Sequence, residues 1–237
     1  MCSKVDGQVT RRAMLGSTAA AGLALPTMGM AMAQKDKVLP PSNINNPDQA
    51  IEELMKGNRR FIDGDMQDHD YLAAKRRGSS GQSPYAAFIR CADSRVAPEI
   101  VFDQTIGELF VCGVAGNIPT PELIASLEFS VGTLGSSLVV VMGHSNCGAV
   151  DTAIQFENNF NELPGELPNL MAHFLPAVIE SRGAENRLEK AIELNARFGA
   201  ERLTKESVVL ADAVESGKCK IVSGVYDLDT GRFALMG

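Results

Sequence analysis

A chain of 237 residues is long enough to bury a hydrophobic core without help from disulfide bonds. Its 45% hydrophobic and 22% charged residues are typical of a globular protein. The absence of Trp, the presence of only three Tyr and the net charge of −7 argue against a nucleic-acid-binding surface, because such a surface needs positive charge and stacking aromatics.

The N-terminal residues have the three-part layout of an export signal. Basic residues come first, an uncharged run covers residues 13–33, and the small-x-small sequence Ala31-Met32-Ala33 closes it. The pair Arg11-Arg12, with an apolar residue two positions on, resembles a twin-arginine signal. We therefore predict an exported, periplasmic protein with residues 1–33 as the signal and residues 34–46 as a linker or N-terminal arm.

Two alternatives to the twin-arginine interpretation are a generic secretory signal and a retained membrane helix. The uncharged run contains Gly, Ser, Thr and Pro residues, which make it a weak membrane anchor. No stable membrane insertion is therefore expected after signal removal.

The folded part of the chain begins with a capped helix. Asn46 suits the N-cap, Pro47 suits the first helical position, and Gly64 ends the pattern. Residues 65–83 are charged and rich in Gly and Ser, which indicates a loop or a broken helix.

From Tyr85 onward, strand patterns alternate with helical patterns. Strands are predicted at residues 85–89, 109–112, 138–142 and 219–226; helices are predicted from a Thr120 cap with Pro121 in the first turn, from about Ala149, and as two or three segments within residues 167–215. The wholly apolar stretch 138–142 is typical of a strand buried on both faces of a parallel sheet. The alternation predicts an α/β fold with a mainly parallel β-sheet flanked by helices.

Polar residues with metal-binding chemistry follow two of these strands. Cys91 and Asp93 follow the first strand, and His144 and Cys147 follow the third. Because ligand sites form at the carboxyl ends of parallel strands, both clusters should lie at one edge of the sheet. Two thiolates and one imidazole with an open fourth position are typical of a catalytic zinc site. The alternative is that these side chains are buried structural residues.

The remaining cysteines outside the signal are predicted to have a structural role. Cys112 and Cys219 stand in apolar strand patterns and have no metal-binding partners in the surrounding sequence. We predict that both are buried free thiols.

Four segments carry a resemblance to a known family. Cys91–Arg95, Gly107–Val111, Ala115–Asn117 and Gly143–Gly148 resemble the β-carbonic anhydrase family in order and spacing, and the tail from Gly224 to Gly231 is similar to its last strand and turn. The resemblance spans essentially the whole chain after the linker, so residues 47–237 are identified as a β-carbonic anhydrase-like catalytic domain.

The resemblance implies an activity and a cofactor. It implies Zn²⁺ bound by Cys91, His144 and Cys147, and a zinc-bound hydroxide that attacks carbon dioxide to give bicarbonate and a proton. Arg95 would hold Asp93 away from zinc and keep it ionised, and Asp93 would orient the hydroxide. Without that restraint Asp93 could become a fourth zinc ligand and close the site.

Further roles follow from the same resemblance. The Gln82 side chain would donate a hydrogen bond to substrate, and Gly148 would offer a backbone N–H to the same ligand. The family also implies a homodimer, or a dimer of dimers, in which the second subunit completes the active-site cleft.

The chain departs from the family pattern at two positions. Gly113 stands where many members have Arg, and Phe88 stands where some have Trp; in those members the Arg and Trp bind bicarbonate away from zinc, together with a Tyr that corresponds to Tyr226. We therefore predict no such regulatory site and an open zinc in the resting enzyme.

Three other functions are alternatives to carbon dioxide hydration. Family members that hydrolyse carbonyl sulfide or carbon disulfide use the same scaffold, and the sequence does not distinguish these linear substrates. A non-catalytic zinc-binding module would be expected to lack the pair Asp93 and Arg95, which is present. A thiol redox protein would be expected to contain a Cys-x-x-Cys motif, which the sequence lacks.

Overall fold

The computed structural model describes residues 44–79 and 81–236. The predicted export signal and most of the predicted linker lie outside these residues. The helices are α1 (Pro47–Asp63), α2 (Tyr71–Gly78), α3 (Pro98–Val101), α4 (Pro121–Gly132), α5 (Gly148–Gln155), α6 (Leu167–Ala172), α7 (Leu175–Glu180), α8 (Arg187–Glu206) and α9 (Val208–Glu215). The strands are β1 (Ala86–Cys91), β2 (Leu109–Val114), β3 (Leu138–His144), β4 (Lys220–Tyr226) and β5 (Phe233–Met236).

The five strands form one sheet in the order β2-β1-β3-β4-β5. Strand β1 pairs in parallel with both β2 and β3, and β3 pairs in parallel with β4. Strand β5 runs antiparallel to β4 at the edge of the sheet. The predicted mainly parallel sheet is confirmed. The additional strand β5 escaped prediction because it contains no β-branched residue and is only four residues long.

Helices cover both faces of the sheet. All seven residues of β3 are buried, which confirms the burial predicted for its apolar stretch 138–142. On one face, Phe88 and Val140 belong to a cluster with residues of α1 and α3. On the other face, Ile89 and Val141 pack with residues of α4, α8 and α9. Neighbouring residues of a strand face opposite sides of the sheet, so each central strand contributes to both clusters.

The predicted start and end of α1 are confirmed. The Asn46 side chain accepts hydrogen bonds from the backbone N–H groups of Asp48 (2.8 Å) and Gln49 (3.3 Å). Gly64 ends the helix in the left-handed region, with φ of 70°, where its N–H bonds to the carbonyls of the last turn.

Two details of the helix predictions were wrong. Thr120 precedes α4 in an extended conformation, but its side chain makes no capping hydrogen bond; Pro121 at the first position lacks the N–H and presets the helical φ. Residues 167–215 contain four helices, α6 to α9, not two or three. Pro176 in the first turn of α7 cannot donate a helical hydrogen bond. Ser207 separates α8 from α9: its φ is −128°, and its Oγ caps α9 by accepting a hydrogen bond from the Leu210 N–H at 3.1 Å.

The segment 65–83, predicted as a loop or a broken helix, contains the short helix α2. The Asp70 side chain caps it by accepting a hydrogen bond from the Ala73 N–H at 2.8 Å. Helix α3 was not predicted from the sequence. None of the helices in the part of the chain that the structure describes is long and apolar enough to cross a membrane.

The strand order creates a crevice at the carboxyl edge of the sheet. The chain leaves β1 toward β2 on one side, whereas β3 lies on the other side of β1. Ligand sites in open α/β sheets form at such a reversal of strand order. Cys91 is the last residue of β1 and His144 is the last residue of β3, so both lie at this reversal.

Candidate metal centre

The structure brings together the three predicted metal ligands. Cys91 ends β1, His144 ends β3, and Cys147 immediately precedes α5. Their donor atoms all lie within 4.8 Å of one another. All three side chains are buried, and His144 is fully so. His144 and Cys147 follow Cys91 by 53 and 56 residues in the sequence, and the parallel pairing of β1 with β3 brings them into one group with it.

The imidazole of His144 is oriented for metal binding. Its Nδ1 lies 2.9 Å from the carbonyl oxygen of Ser145, which assigns the proton to Nδ1. Its Nε2 is buried and has no hydrogen-bond partner among the described residues. A buried nitrogen with a free lone pair beside two thiols is what a bound metal ion would satisfy.

The two thiols interact closely. Hydrogen bonds from the Cys147 thiol and from the Gly116 N–H lower the pKa of Cys91. Hydrogen bonding to Cys91, together with burial, raises the pKa of Cys147. The group therefore holds one thiolate readily before any metal is bound, and binding of a divalent cation would displace the proton of the second thiol.

Asp93 and Arg95 form a two-pronged ion pair beside the thiols. The Asp93 Oδ1 accepts hydrogen bonds from the backbone N–H and Nε of Arg95, both at 2.9 Å, and Oδ2 accepts one from Nη2 at 2.8 Å. These bonds hold the pKa of Asp93 well below its usual range. Asp93 Oδ2 lies 3.8 Å from His144 Nε2, yet Asp93 is not one of the residues whose donor atoms form the metal-binding group.

The loop after β2 supports the sulfur of Cys91. The Gly116 N–H donates a hydrogen bond to Cys91 Sγ at 3.2 Å. Gly116 has φ of 75°, and a Cβ atom at this position would lie 2.2 Å from the Phe174 ring. Glycine is therefore required both by the backbone conformation and by the close approach of Phe174. The segment Ala115–Asn117 was singled out by the family resemblance, but its contact with Cys91 was not predicted.

The predicted substrate-binding residues lie in different places. Gly148 is exposed and is the first residue of α5, directly after the predicted ligand Cys147 in the chain. Gln82 is exposed and precedes the amino end of β1, whereas Cys91 lies at the carboxyl end. Strand β1 is six residues long, or roughly 17 Å, so Gln82 and the donors lie beyond opposite ends of the strand.

Arg90, for which the sequence predicted no role, occupies the space beside Gly113. Arg90 on β1 is paired in register with Gly113 on β2, and a Cβ atom on Gly113 would lie 3.3 Å from the Arg90 guanidinium carbon. The Arg90 side chain donates a hydrogen bond to the Cys91 carbonyl at 2.7 Å. Phe88 and Tyr226 are buried in the apolar cluster on the α1 face. The prediction that the chain has no regulatory bicarbonate site stays a prediction.

The remaining cysteines are buried and free of disulfide bonds, as predicted. Cys112 lies in β2 and Cys219 directly precedes β4, both within the apolar cluster on the α8 face. Burial raises the pKa of both thiols, and that of Cys219 is raised to about 12. Neither thiol belongs to the metal-binding group.

The donor set fits zinc. Two thiolates and one neutral imidazole are soft to intermediate ligands, which favour Zn²⁺ over Mg²⁺ or Ca²⁺. Three protein ligands leave one coordination position for a small molecule, which is the arrangement of catalytic rather than structural zinc sites.

Comparison with known proteins gives a consistent result. A family profile described as carbonic anhydrase matches residues 86–233. The protein named carbonic anhydrase 2 of Mycobacterium tuberculosis is 34% identical over 194 residues, which cover 80% of this chain and 93% of that protein. The carbonic anhydrase of Pseudomonas aeruginosa is 35% identical over 168 residues, which cover 64% of this chain and 72% of that protein.

Solved structures share the fold. A β-carbonic anhydrase of Coccomyxa in complex with acetazolamide superposes with a TM-score of 0.62 at 24% identity, covering 78% of this chain and 86% of that chain. A tetrameric β-carbonic anhydrase of the ascomycete Sordaria macrospora gives a TM-score of 0.63 at 19% identity, covering 80% of this chain and 98% of that chain.

Proposed function

The chain belongs to the β-carbonic anhydrase family, and from this premise we propose that it catalyses the reversible hydration of carbon dioxide to bicarbonate and a proton, with Zn²⁺ bound by Cys91, His144 and Cys147. The observation that carries the proposal is the buried Cys-His-Cys group at the carboxyl edge of the sheet. The ion pair of Asp93 and Arg95 lies beside this group and supplies a charged partner for the reaction.

The protein residues prepare the zinc ligands. In such a site Zn²⁺ lowers the pKa of a coordinated water to about 7 and so supplies a nucleophile at neutral pH. The Ser145 carbonyl keeps the proton of His144 on Nδ1 and leaves Nε2 free. The Gly116 N–H stabilises the thiolate form of Cys91. Both contacts orient the ligands before the metal binds.

Asp93 is proposed to orient the water that attacks carbon dioxide. Its carboxylate stays ionised because Arg95 donates hydrogen bonds to both oxygens, so it can only accept hydrogen bonds. A hydrogen bond that Asp93 accepts from the attacking water would aim the oxygen lone pair at the carbon of the substrate. The same hydrogen bonds restrain Asp93 from becoming a fourth ligand, which supports the proposal of an open site.

Gly148 and Gln82 are proposed to bind substrate oxygen atoms. The Gly148 N–H belongs to the first turn of α5, whose N–H groups have no partners within the helix and favour a developing negative charge. Gln82 lies beyond the far end of β1 from the zinc ligands, so we propose that it serves the site of a second subunit. The exposed apolar side chains of Leu72 (68% exposed) and Ile106 (52% exposed) support a homodimer, because such surfaces are often buried by a partner.

Export to the periplasm is proposed from the sequence alone. The twin-arginine-like layout of residues 1–33 supports it, since that route carries folded proteins with bound cofactors. Hydrolysis of carbonyl sulfide or carbon disulfide gains no support from the described residues or from the relatives, and the intact pair of Asp93 and Arg95 argues against a non-catalytic module.

The test is metal analysis combined with carbon dioxide hydration assays. We expect about one zinc per chain in the wild type, loss of zinc and activity in Cys147→Ser, and loss of activity with zinc retained in Asp93→Asn. The matched control Cys112→Ser removes a buried thiol outside the metal-binding group and should retain zinc and activity. A folded wild type that is active without zinc would refute the proposal.

A further inference from the structure

A buried amide lies on the helix that covers the metal centre. Asn195 of α8 is 6% exposed and lies among apolar or small residues of the same buried helix face, including Ile192, Ala196 and Gly199. A polar side chain at such a position needs a hydrogen-bond partner to offset its desolvation. The partner is the Gly116 carbonyl, which accepts a hydrogen bond from Asn195 Nδ2 at 2.8 Å.

The N–H and the carbonyl of Gly116 each make a hydrogen bond to a side chain. Its N–H donates to Cys91 Sγ at 3.2 Å, and its carbonyl accepts from Asn195. The two bonds lie on different peptide groups, so together they restrict φ and ψ of Gly116. Because glycine has a wide range of accessible conformations, this restriction aims the N–H at the sulfur.

Backbone hydrogen bonds also restrain the turn, because the Ala92 N–H after β1 donates to the Val114 carbonyl at 3.0 Å. The Asn117 N–H donates to the Val114 carbonyl at 3.1 Å within the turn itself. The Asn117 side chain is buried, but its Nδ2 has no hydrogen-bond partner among the described residues. The side-chain amide that ties this turn to the rest of the fold is therefore that of Asn195, which lies 79 residues away in the chain.

We propose that Asn195 is a positioning residue of the metal centre, which holds Gly116 so that its N–H supports the sulfur of the zinc ligand Cys91. The inference rests on the proposed zinc site and extends it to a helix that contributes no ligand. Residues that orient metal ligands through hydrogen bonds typically change metal affinity by about 10- to 100-fold when they are substituted. We expect an effect of that size for loss of the Asn195 amide.

A purely structural role would predict a different result. Asn58 of α1 provides a matched control, because it is also a buried helical asparagine, at 2% exposure. Its Nδ2 donates to the carbonyls of Val101 (3.1 Å) and Gly231 (2.8 Å), and neither residue is hydrogen-bonded to a zinc ligand among the described residues. Substitution of either asparagine should lower stability, but only substitution of Asn195 should weaken zinc binding.

The experiment measures zinc affinity by competition with a chelator for the wild type, Asn195→Leu and Asn58→Leu. We expect Asn195→Leu to bind zinc about 10- to 100-fold more weakly than the wild type, and Asn58→Leu to bind within about twofold of it. Equal affinity in the wild type and Asn195→Leu, or equal weakening in both variants, would overturn the inference. A wild type that binds no zinc would instead refute the proposed function.

A second variant and a second readout cover the case in which Asn195→Leu does not fold. Asn195→Ala removes the donor to the Gly116 carbonyl without placing a larger side chain in the buried site. In the Co²⁺-substituted protein, loss of an N–H···S hydrogen bond should shift the sulfur-to-cobalt charge-transfer absorption to longer wavelength. We expect this shift in Asn195→Ala and not in Asn58→Ala, and an unshifted band in Asn195→Ala would count against the inference.

Discussion

Gly116→Ala should lower the stability of the protein for two reasons, an unfavourable backbone conformation and a clash with Phe174. At φ of 75° an alanine pays about 1–2 kcal/mol for the left-handed conformation. Its Cβ would also lie 2.2 Å from Cζ and 2.4 Å from Cε1 of Phe174, which is fully buried. Overpacking of this kind costs about 1–3 kcal/mol. The free energy of unfolding should therefore fall by about 2–5 kcal/mol.

Gly64→Ala isolates the conformational penalty. Gly64 has φ of 70°, and a Cβ atom there would have no neighbour within 4 Å. Its substitution should cost only about 1–2 kcal/mol. The difference between the two variants, about 1–3 kcal/mol, then measures the contact with Phe174.

Urea denaturation followed by circular dichroism, at one buffered concentration of free zinc, measures these free energies once the zinc-binding contribution of each variant has been measured by chelator competition and subtracted. The double variant Gly116→Ala/Phe174→Leu should recover part of the loss, with a coupling energy of about 1–3 kcal/mol. The reasoning fails if Gly116→Ala is no more destabilising than Gly64→Ala, or if the two substitutions in the double variant are additive.

Two further predictions concern ionised side chains. Asp103→Asn should lower the free energy of unfolding by about 2–5 kcal/mol at pH 7, because it removes a buried carboxylate paired with Arg60 and His69. Burial tends to raise the pKa of Asp103, but the hydrogen bonds from Arg60, the Gln67 N–H and His69 lower it below its ordinary value. This stabilisation is therefore complete above about pH 4 and disappears at lower pH. In urea denaturation, the difference in unfolding free energy between wild type and variant should be smaller at pH 3.5 than at pH 7, and a constant difference would contradict the assignment. Arg95→Met removes the side-chain donors that lower the pKa of Asp93 and leaves the backbone N–H in place. The carbon dioxide hydration rate should therefore fall at least about tenfold, and the acid limb of its pH profile should move to higher pH with zinc content unchanged. An unaltered profile would rule out the proposed role of the pair.

Much of the fold could be predicted because the relevant signals are local. The alternation of apolar strands and helical segments predicts a parallel sheet, and the cap at Asn46 predicts the start of α1. The donors could be predicted for a similar reason. Cys91 directly ends one strand, and His144 ends another. Carboxyl ends of parallel strands share one edge, so strand assignment alone brings these residues close together.

The helix breaks were less predictable. Residues 167–215 contain four helices, and the breaks lie before Pro176 in the first turn of α7 and at Ser207, which caps α9. The edge strand β5 lacks β-branched residues and forms because the turn at Gly231 returns the chain alongside β4.

The sequence by itself determined the chemistry of the site: two thiols and one imidazole at strand ends favour zinc, whatever the details of packing. Only the tertiary structure decided how these donors are held. Asn195 in α8 and Gly116 after β2 look like unrelated residues in the sequence, and so do Arg90 and Gly113. Their pairing depends on how the helices pack on the sheet and on strand register, which local sequence patterns do not encode, because hydrophobic burial fixes which elements meet but carries no direction of its own.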